Sequence, residues 1–376
     1  MIPFNVPPFT GKETEYIKQA IDSHKICGDG AFTKKCSAWL GERTGSRVLM
    51  TTSCTHALEM SALLCGIKEG DEVILPSFTF ASTADAFAIR GATLVFTDIR
   101  PDTMNIDEKL IEQAITDRTK VIVPVHYGGV GCEMDEINAL AEHYGISVVE
   151  DAAQCSQSFY KGKPLGTLSR FGCISFHETK NFSMGEGGAL FVNCESDIET
   201  AEVIREKGTD RSRFFRGQVD KYTWQDAGSS YLPSELCCAY LWAQLELADE
   251  ITAARVKCAQ TYRSELADLA ERGLVEFQHI PDHCTCNGHL FYIKAKDLGE
   301  RTALIAFLKE KGVLAVFHYV PLHSAPAGKK YGRFSGRDIY TTKESDRLVR
   351  LPMYYGLSES DQAYVIECVR EFYRNR

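Results

Sequence analysis

The chain has 376 residues, of which 44% are hydrophobic and 25% are charged, the balance of an ordinary globular protein rather than a disordered one. Its net charge of -9 argues against a nucleic-acid partner, because binding to a phosphate backbone requires a basic face. No apolar run approaches the ~20 residues that span a bilayer, and the first residues lack the pattern of a secretory signal, so we expect a cytoplasmic protein without membrane contact.

The first part of the chain alternates short strand-like runs with amphipathic stretches, a pattern typical of a mainly parallel sheet covered by helices. Strands are predicted at 47–50, 72–75, 93–97, 120–126 and 147–150. Helices are predicted at 57–65 and 133–144, where apolar residues recur on one helical face. Shorter strands at 173–176 and 189–192 follow, joined by a glycine-rich loop.

The C-terminal third is predicted to form a second, smaller α+β domain. A long helical region is expected at 235–265, followed by strands near 291–295 and 313–318 and by helices near 301–311 and 358–374. A chain of this length exceeds what one hydrophobic core usually organises. We therefore expect a large domain over 1–250 and a small one over 251–376.

Polar segments follow several predicted strands, and ligands of open α/β sheets bind beyond the carboxyl ends of the strands. The hydroxyl-rich segment 51–56 precedes the helix predicted from Ala57. A helix N-terminus favours anions, so a phosphate would fit here, with an ordinary N-cap as the alternative. The segment 77–80 ends in Phe80, which could stack on a heterocyclic ring, although an aromatic residue in this position is more often part of the core.

Two further segments supply charged groups. Asp151 ends a strand-like run, and a buried carboxylate there needs a cation, either a protonated ring nitrogen or a basic side chain. Lys180 follows the strand at 173–176 and precedes the glycine-rich segment 185–188. A largely apolar, cationic pocket would lower the pKa of this lysine and make its neutral amine a nucleophile, whereas a lone lysine is usually a solvated surface charge.

One group of cysteines and histidines could in principle hold zinc. His283, Cys284, Cys286 and His289 are close together in the sequence, but their tight spacing departs from the usual zinc patterns. The fourteen cysteines are otherwise scattered and are interpreted as reduced thiols. We therefore expect no metal, and a surface loop that enters a strand.

Taken together, these segments resemble a known family. The segments 77–83 (SFTFAST), 148–154 (VVEDAAQ), 175–181 (SFHETKN) and 185–188 (GEGG), in this order after the hydroxyl-rich loop, are similar to those of the DegT/DnrJ/EryC1/StrS sugar aminotransferases. The resemblance covers nearly the whole chain. It implies an α/β enzyme of fold type I, like aspartate aminotransferase, that depends on pyridoxal 5'-phosphate (PLP).

The resemblance also implies a role for each matching residue. Lys180 corresponds to the lysine that carries PLP, and Asp151 to the partner of its pyridine nitrogen. Gln154 corresponds to the neighbour of the ring face or the 3'-oxygen. The remaining implied contacts are Phe80, stacked on the ring, and, at the phosphate, Thr55, the backbone of His56 and Ser175. A lysine rather than a histidine at position 180 favours transamination over dehydration.

The resemblance further implies a homodimer with the active site at the subunit interface. Members of the family commonly use an asparagine to reach the phosphate in the neighbouring subunit, and Ser230 stands at that position here. A hydroxyl group can replace an amide as donor. Which residue makes this contact across the interface is left open by the sequence.

The segments 27–30, 102–107, 214–224 and 340–345 resemble most closely the members that aminate C4 of dTDP-4-dehydro-6-deoxy-D-glucose with L-glutamate. Alternatives are a family enzyme that gives the C4 epimer or acts at C3, and a regulator of the same fold without catalysis. In the basic segment 205–221, Arg213 and Arg216 are predicted to bind the substrate diphosphate or to order the dimer edge, with a solvated helix face as an equal alternative. His323 is a further predicted substrate contact.

Overall fold

The computed structural model of the protein describes residues 1–374. The helices are α1 (Glu13–Asp22), α2 (Ala31–Thr44), α3 (Cys54–Leu64), α4 (Ala81–Ala88), α5 (Met134–Tyr144), α6 (Ile198–Arg205), α7 (Arg211–Phe215), α8 (Glu235–Leu245), α9 (Ala248–Glu265), α10 (Ala267–Glu271), α11 (Leu298–Glu310), α12 (Pro326–Tyr331), α13 (Thr341–Arg347) and α14 (Glu359–Tyr373). The strands are β1 (Arg47–Thr51), β2 (Glu72–Pro76), β3 (Thr93–Thr97), β4 (Thr119–Ile122), β5 (Ser147–Asp151), β6 (Phe159–Tyr160), β7 (Lys163–Pro164), β8 (Phe171–Ser175), β9 (Gly188–Val192), β10 (Glu276–Phe277), β11 (Cys284–Thr285), β12 (Tyr292–Lys294), β13 (Gly332–Phe334) and β14 (Leu348–Arg350).

The structure has an eight-stranded sheet in the order β1-β9-β8-β5-β4-β2-β3-β13. Only β9 runs against its neighbours within this sheet, pairing antiparallel with both β1 and β8. Residues of β2 alternate between two buried clusters, with Ile74 in one and Val73 and Leu75 in the other. The sequences of such strands are continuously apolar because both faces of the sheet are covered. The predicted mainly parallel α/β sheet is confirmed.

The ends of several predicted elements differ from the sequence expectation. The fourth strand ends at Ile122 instead of at 126, because Pro124 has no N–H group to donate to a neighbouring strand. The helix predicted from Ala57 begins at Cys54, because the side chain of Ser53 caps it. The helical region at 235–265 consists of two helices, α8 and α9.

The C-terminal part has its own three-stranded sheet, β10-β12-β14, and a cluster of buried residues that includes residues of α9, α11 and α14. No strand forms at 313–318, where the structure has only single bridges from Val313 to Ile2 and from Val316 to Arg350. Ile2 packs in the C-terminal cluster, and β13 pairs in parallel with β3 of the large sheet. The chain therefore crosses between the two parts near both of its ends.

Within residues 1–374, none of the helices combines the length and the apolar character that crossing a bilayer requires.

Candidate active site

A cavity of about 630 Å³ opens where the strands of the large sheet end. Residues that directly follow or end β1, β2, β4, β5 and β8 contribute to its lining, as the rule for open α/β sheets predicts. Distant parts of the chain also line the cavity, namely Phe4 and Asn5, His289 and Leu290, the segment 317–320, and residues at and after the end of β14. The cavity therefore lies between the large sheet and the C-terminal part.

The hydroxyl-rich loop after β1 forms one side of the cavity. Ser53 caps α3 by accepting a hydrogen bond from the backbone N–H of His56 at 3.0 Å. Thr55 lines the cavity and donates from Oγ1 to Oγ of Ser82 at 2.7 Å. The N-terminus of α3 and this pair of hydroxyl groups together make a suitable place for a phosphate.

Asp151, at the end of β5, is a buried carboxylate without a basic side chain as partner in the described part of the chain. Thr83 donates from Oγ1 to Oδ2 at 2.6 Å, and the backbone N–H of Ala153 donates to Oδ1 at 3.1 Å. The carboxylate lines the cavity, and only 6% of the residue is exposed. A buried carboxylate of this kind needs a cation, so the geometry favours a ligand cation over the structural salt bridge.

Lys180 lies in the turn that follows β8, where its backbone N–H donates to the carbonyl oxygen of His177 at 2.9 Å. Its side chain lines the same cavity as Asp151. Burial lowers the pKa of Lys180, and the nearby guanidinium of Arg350 lowers it further, while Asp151 opposes this shift. The lowered pKa makes the neutral, nucleophilic amine more accessible than in a lysine exposed to solvent.

Gln154, Ser175 and Phe80 also line the cavity. Gln154 is held from both ends, because its Oε1 accepts from the backbone N–H of Gly128 at 2.6 Å and its Nε2 donates to Oη of Tyr319 at 3.2 Å. Ser175 ends β8 and is buried. Phe80 is 63% exposed at the cavity, with its ring centroid 6.3 Å from that of Tyr319. Phe80 is therefore not part of the hydrophobic core, which was the alternative interpretation of this residue.

Two predicted contacts, His56 and His323, lie outside the lining. The backbone N–H of His56 is already used by the cap of α3, and its ring lies edge-on to Tyr231. His323 has partners at both ring nitrogens, with Nδ1 at 2.7 Å from Oγ of Ser77 and Nε2 at 3.2 Å from Oδ2 of Asp338. The contacts of His56 with the phosphate and of His323 with the substrate stay predictions.

Three further predicted residues lie away from the cavity. Arg213 and Arg216 each form an ion pair at 2.7 Å, with Glu199 and Glu202 respectively. Ser230 is exposed and lines a second depression of about 970 Å³, together with Arg216. None of the three lines this cavity, so their predicted roles depend on a partner subunit or on an extended substrate.

Sequence reasoning missed several residues that line the cavity, among them His126, His289, His318 and Arg350. Arg350 ends a short strand of the C-terminal sheet, and an arginine in such a position is usually interpreted as a surface charge. His318 was placed in a predicted strand. The identity of these polar residues does not indicate that the distant segments that carry them lie around one cavity.

The four candidate zinc ligands have separate partners, and for Cys284 this is the backbone oxygen of Gly131, 4.0 Å from its Sγ. The Cys286 thiol donates to the backbone oxygen of Gly128 at 3.1 Å, and Nδ1 of His289 lies 2.9 Å from Oδ1 of Asn181. Nε2 of His283 lies 3.3 Å from a carboxylate oxygen of Glu133. In residues 1–374 no group of three or more His, Cys, Asp or Glu side chains has an arrangement that could hold a metal ion.

The residues of the cavity fit PLP in charge and in hydrogen-bonding capacity. Lys180 offers an amine with a lowered pKa for the aldehyde, and Asp151 offers a negative charge for the pyridine nitrogen. Thr55 and Ser175 offer hydroxyl groups, and Phe80 offers an aromatic face. A phosphorylated heterocyclic aldehyde therefore has a suitable group for each of its parts.

Comparison with known proteins gives one consistent result. The sequence model of the DegT/DnrJ/EryC1/StrS aminotransferase family matches residues 9–370. The chain is 35% identical over 323 residues to the pleiotropic regulatory protein of Geobacillus stearothermophilus, covering 85% of this chain and 83% of that protein. It is 30% identical over 380 residues to the spore coat polysaccharide biosynthesis protein SpsC of Bacillus subtilis, covering 98% and 96%. Among solved structures it is similar to the putative sugar aminotransferase Spr1654 of Streptococcus pneumoniae in its PLP form, with a TM-score of 0.90, 25% identity, and coverage of 99% and 98%.

Proposed function

Because the chain belongs to the DegT/DnrJ/EryC1/StrS aminotransferase family and is a PLP-dependent sugar aminotransferase, we propose that it aminates C4 of dTDP-4-dehydro-6-deoxy-D-glucose. The amino donor is L-glutamate, and the products are dTDP-4-amino-4,6-dideoxy-D-galactose and 2-oxoglutarate. The observation that carries transamination is Lys180, an amine of lowered pKa, in one cavity with the unpaired carboxylate of Asp151. The choice of sugar rests on the segments at 27–30, 102–107, 214–224 and 340–345.

PLP, when bound, supplies an electron-withdrawing ring that stabilises negative charge on the substrate carbon. Asp151 keeps a proton on the ring nitrogen, and its own orientation is fixed by Thr83 and Ala153. Lys180 anchors the cofactor in the resting enzyme. Its free amine would also be the group in this cavity that accepts the α-proton of the donor and returns a proton.

The same groups act in the reverse direction on the keto sugar. Lys180 would deliver the proton to C4 of the sugar, so the face from which its amine approaches would set the configuration of the product. Gln154 and Phe80 would contact the ring, since both line the cavity. Because donor and acceptor use one cavity in turn, we expect ping-pong kinetics.

The proposal includes a homodimer, in which Ser230 of one subunit contacts the phosphate held by the other. Ser230 is exposed and lines the second depression rather than its own cavity, which supports a contact with a partner. Arg213 and Arg216 lie near the same region, in and next to α7, where the diphosphate of a bound nucleotide could reach them. His323, close to the segment that lines the cavity, is the third proposed substrate contact.

We place this reaction in the cytoplasmic synthesis of a surface polysaccharide, such as the enterobacterial common antigen. The similarity to a protein named for spore coat polysaccharide biosynthesis supports such a role for the amino sugar. The more specific assignment to one antigen rests only on the four segments that resemble C4 transaminases.

The proposal is tested by incubating the purified enzyme with PLP, L-glutamate and dTDP-4-dehydro-6-deoxy-D-glucose, and by recording the NMR spectrum of the aminated product. An axial amine at C4 gives small couplings of H4 to H3 and to H5. Large values of both couplings would show the C4 epimer, and an amine at C3 would show the other alternative; either result contradicts the galactose assignment. As a control, the Lys180→Ala variant should lose both the visible absorbance of the bound cofactor and sustained turnover.

A further inference from the structure

His289 is a cavity-lining histidine whose backbone is held by α9 and by the residues before it. Its N–H donates to Oδ1 of Asn287 at 2.9 Å, and its carbonyl oxygen accepts from Nη2 of Arg255 at 2.6 Å. Gly288 has a φ of 62°, and a Cβ atom added there would lie 2.7 Å from the backbone carbonyl carbon of Arg255, so only glycine fits. The ring of His289 therefore has a fixed place at the cavity.

One neighbour determines which ring nitrogen of His289 carries the hydrogen. Nδ1 lies 2.9 Å from Oδ1 of Asn181. The amide of Asn181 is itself oriented, because its Nδ2 donates to the carbonyl oxygen of Asn287 at 3.0 Å and a carbonyl oxygen can only accept. Oδ1 of Asn181 is therefore the acceptor, and Nδ1 of His289 is the donor. In the neutral ring, Nε2 then keeps a lone pair.

The imidazole of His289 is neutral and lies close to the amine of Lys180. Burial lowers the pKa of His289 well below its usual range. Neighbouring groups lower this pKa further, and in decreasing order of effect they are Lys180, Arg255, Arg350 and His318. The influence of a charge weakens with distance, so the leading effect of Lys180 agrees with an amine beside the ring.

Lys180 has hydrogen-bond donors that match the lone pair of His289. Lys180 and Asn181 are neighbours in the chain, so the hydrogen bond from His289 to Asn181 holds the imidazole beside the turn that carries the amine. Both side chains line the same cavity. In the described part of the chain, neither Nζ of Lys180 nor Nε2 of His289 has a hydrogen-bond partner. A donor without an acceptor and an acceptor without a donor thus lie at one cavity.

We propose that His289 is a positioning residue for Lys180, and that its Nε2 accepts a hydrogen bond from the amine whenever the amine is free. One N–H bond of the amine then points at the imidazole, and its lone pair is directed at the rest of the cavity, where a proton has to be taken up. The imidazole itself neither gains nor loses a proton. This inference rests on the proposed function in one respect, namely that the amine of Lys180 carries the proton.

Two substitutions of His289 separate this role from a structural one. Asparagine places its amide near the position of Nδ1, so His289→Asn keeps a donor for Asn181 and loses the acceptor for Lys180. Glutamine places its amide near the position of Nε2, so His289→Gln keeps an acceptor for Lys180 and loses the donor for Asn181. A structural role requires the contact with Asn181, so it predicts that His289→Asn is the more active variant. The proposed role predicts the opposite order.

Steady-state kinetics measure this order. Lys180 acts in both half-reactions, so kcat/KM in His289→Asn should fall at least about tenfold for L-glutamate and for the sugar nucleotide alike. In His289→Gln it should fall by no more than about threefold. A smaller loss in His289→Asn than in His289→Gln would overturn the proposal. A loss for only one of the two substrates would also overturn it, because it would show that Nε2 contacts that substrate.

Nitrogen NMR of the enzyme labelled with ¹⁵N-histidine supplies a readout that does not depend on turnover. The enzyme is loaded with pyridoxamine 5'-phosphate, the amine form of the cofactor, so that Lys180 is free. The signals of His289 are identified by their absence in His289→Gln, and they should show a protonated Nδ1 and an unprotonated Nε2. In Lys180→Met the Nε2 signal should shift towards that of a nitrogen without a hydrogen bond, while the Nδ1 signal stays in place.

Lys161→Met is the matched control for this measurement. Lys161 is an exposed lysine that pairs with Asp135 and lies outside the cavity lining, so its substitution should leave both signals of His289 unchanged. An Nε2 signal that is the same in Lys180→Met and in the wild type would refute the contact. The NMR measurement involves no sugar, so it supports or refutes the role of His289 even if the sugar is not dTDP-4-dehydro-6-deoxy-D-glucose.

Discussion

The Asp151→Asn substitution separates a carboxylate that acts on the cofactor from one that only supports the fold. Asparagine has the same size, and its Oδ1 can still accept from the backbone N–H of Ala153. Its amide N–H₂ would face Thr83, whose hydroxyl can rotate and accept instead of donating. Thr83 in turn can donate to Thr79, whose Oγ1 lies 2.7 Å away. The hydrogen-bond network can therefore reverse, and we expect a loss of stability of no more than about 1 kcal/mol.

The catalytic loss should be much larger. Asparagine cannot hold a proton on the ring nitrogen by charge, so the ring becomes a weaker acceptor of electrons. Removal of one preorganised electrostatic partner commonly costs ~100 to 1,000-fold in kcat, about 2.7 to 4 kcal/mol. The assay is kcat of the PLP-saturated variant, measured together with its melting temperature.

Asp98 supplies a matched control at the end of another strand of the same sheet. It is buried, lies outside the cavity lining, and accepts from the backbone N–H groups of Ile339, Tyr340 and Thr341. Backbone donors cannot reverse, so Asp98→Asn should lose about 1 to 3 kcal/mol of stability and keep a normal kcat. Near-normal kcat in Asp151→Asn, combined with a stability loss like that of Asp98→Asn, would refute the assignment of Asp151 to the cofactor.

Three further predictions concern Lys180, the basic segment and the dimer. Burial lowers the pKa of Lys180 below 10.5, so the unfolded chain binds more protons than the folded chain. The stability of the apoenzyme relative to Lys180→Met should therefore rise with pH up to about 10.5. A stability difference that does not depend on pH in denaturant titrations would contradict this. Charge reversal at Arg213 and Arg216 should raise KM for the sugar nucleotide and not that for glutamate, whereas equal effects on both would reject a diphosphate contact. Although Ser230 lies outside the cavity of its own subunit, Ser230→Ala should weaken PLP binding several-fold, because it removes a hydrogen bond worth about 1 kcal/mol. An unchanged dissociation constant for PLP would exclude the proposed contact across the interface.

The amino-acid sequence by itself was sufficient for most strands of the central sheet and for placing two charged residues at its edge. Strands β1, β2, β3 and β5 were predicted to within a residue at each end, because strands buried on both faces are short apolar runs bounded by polar residues. Asp151 ends β5 and Lys180 lies in the turn after β8, so the sequence could place both residues at the edge of the sheet. The family and its cofactor were likewise predicted from these linear motifs and are confirmed by the comparisons.

The tertiary structure alone decided which distant segments complete the cavity. Arg350 and His318 belong to the C-terminal part, and nothing in their local sequence indicates that they lie near Lys180. In the same way, β13 joins β3 of the large sheet although it comes from the C-terminal third. Secondary structure follows from periodicity over a few residues, whereas the convergence of separate segments depends on packing between elements far apart in the chain. The residues near the strand ends could therefore be predicted, while the residues that the C-terminal part contributes to the cavity became visible only in the folded molecule.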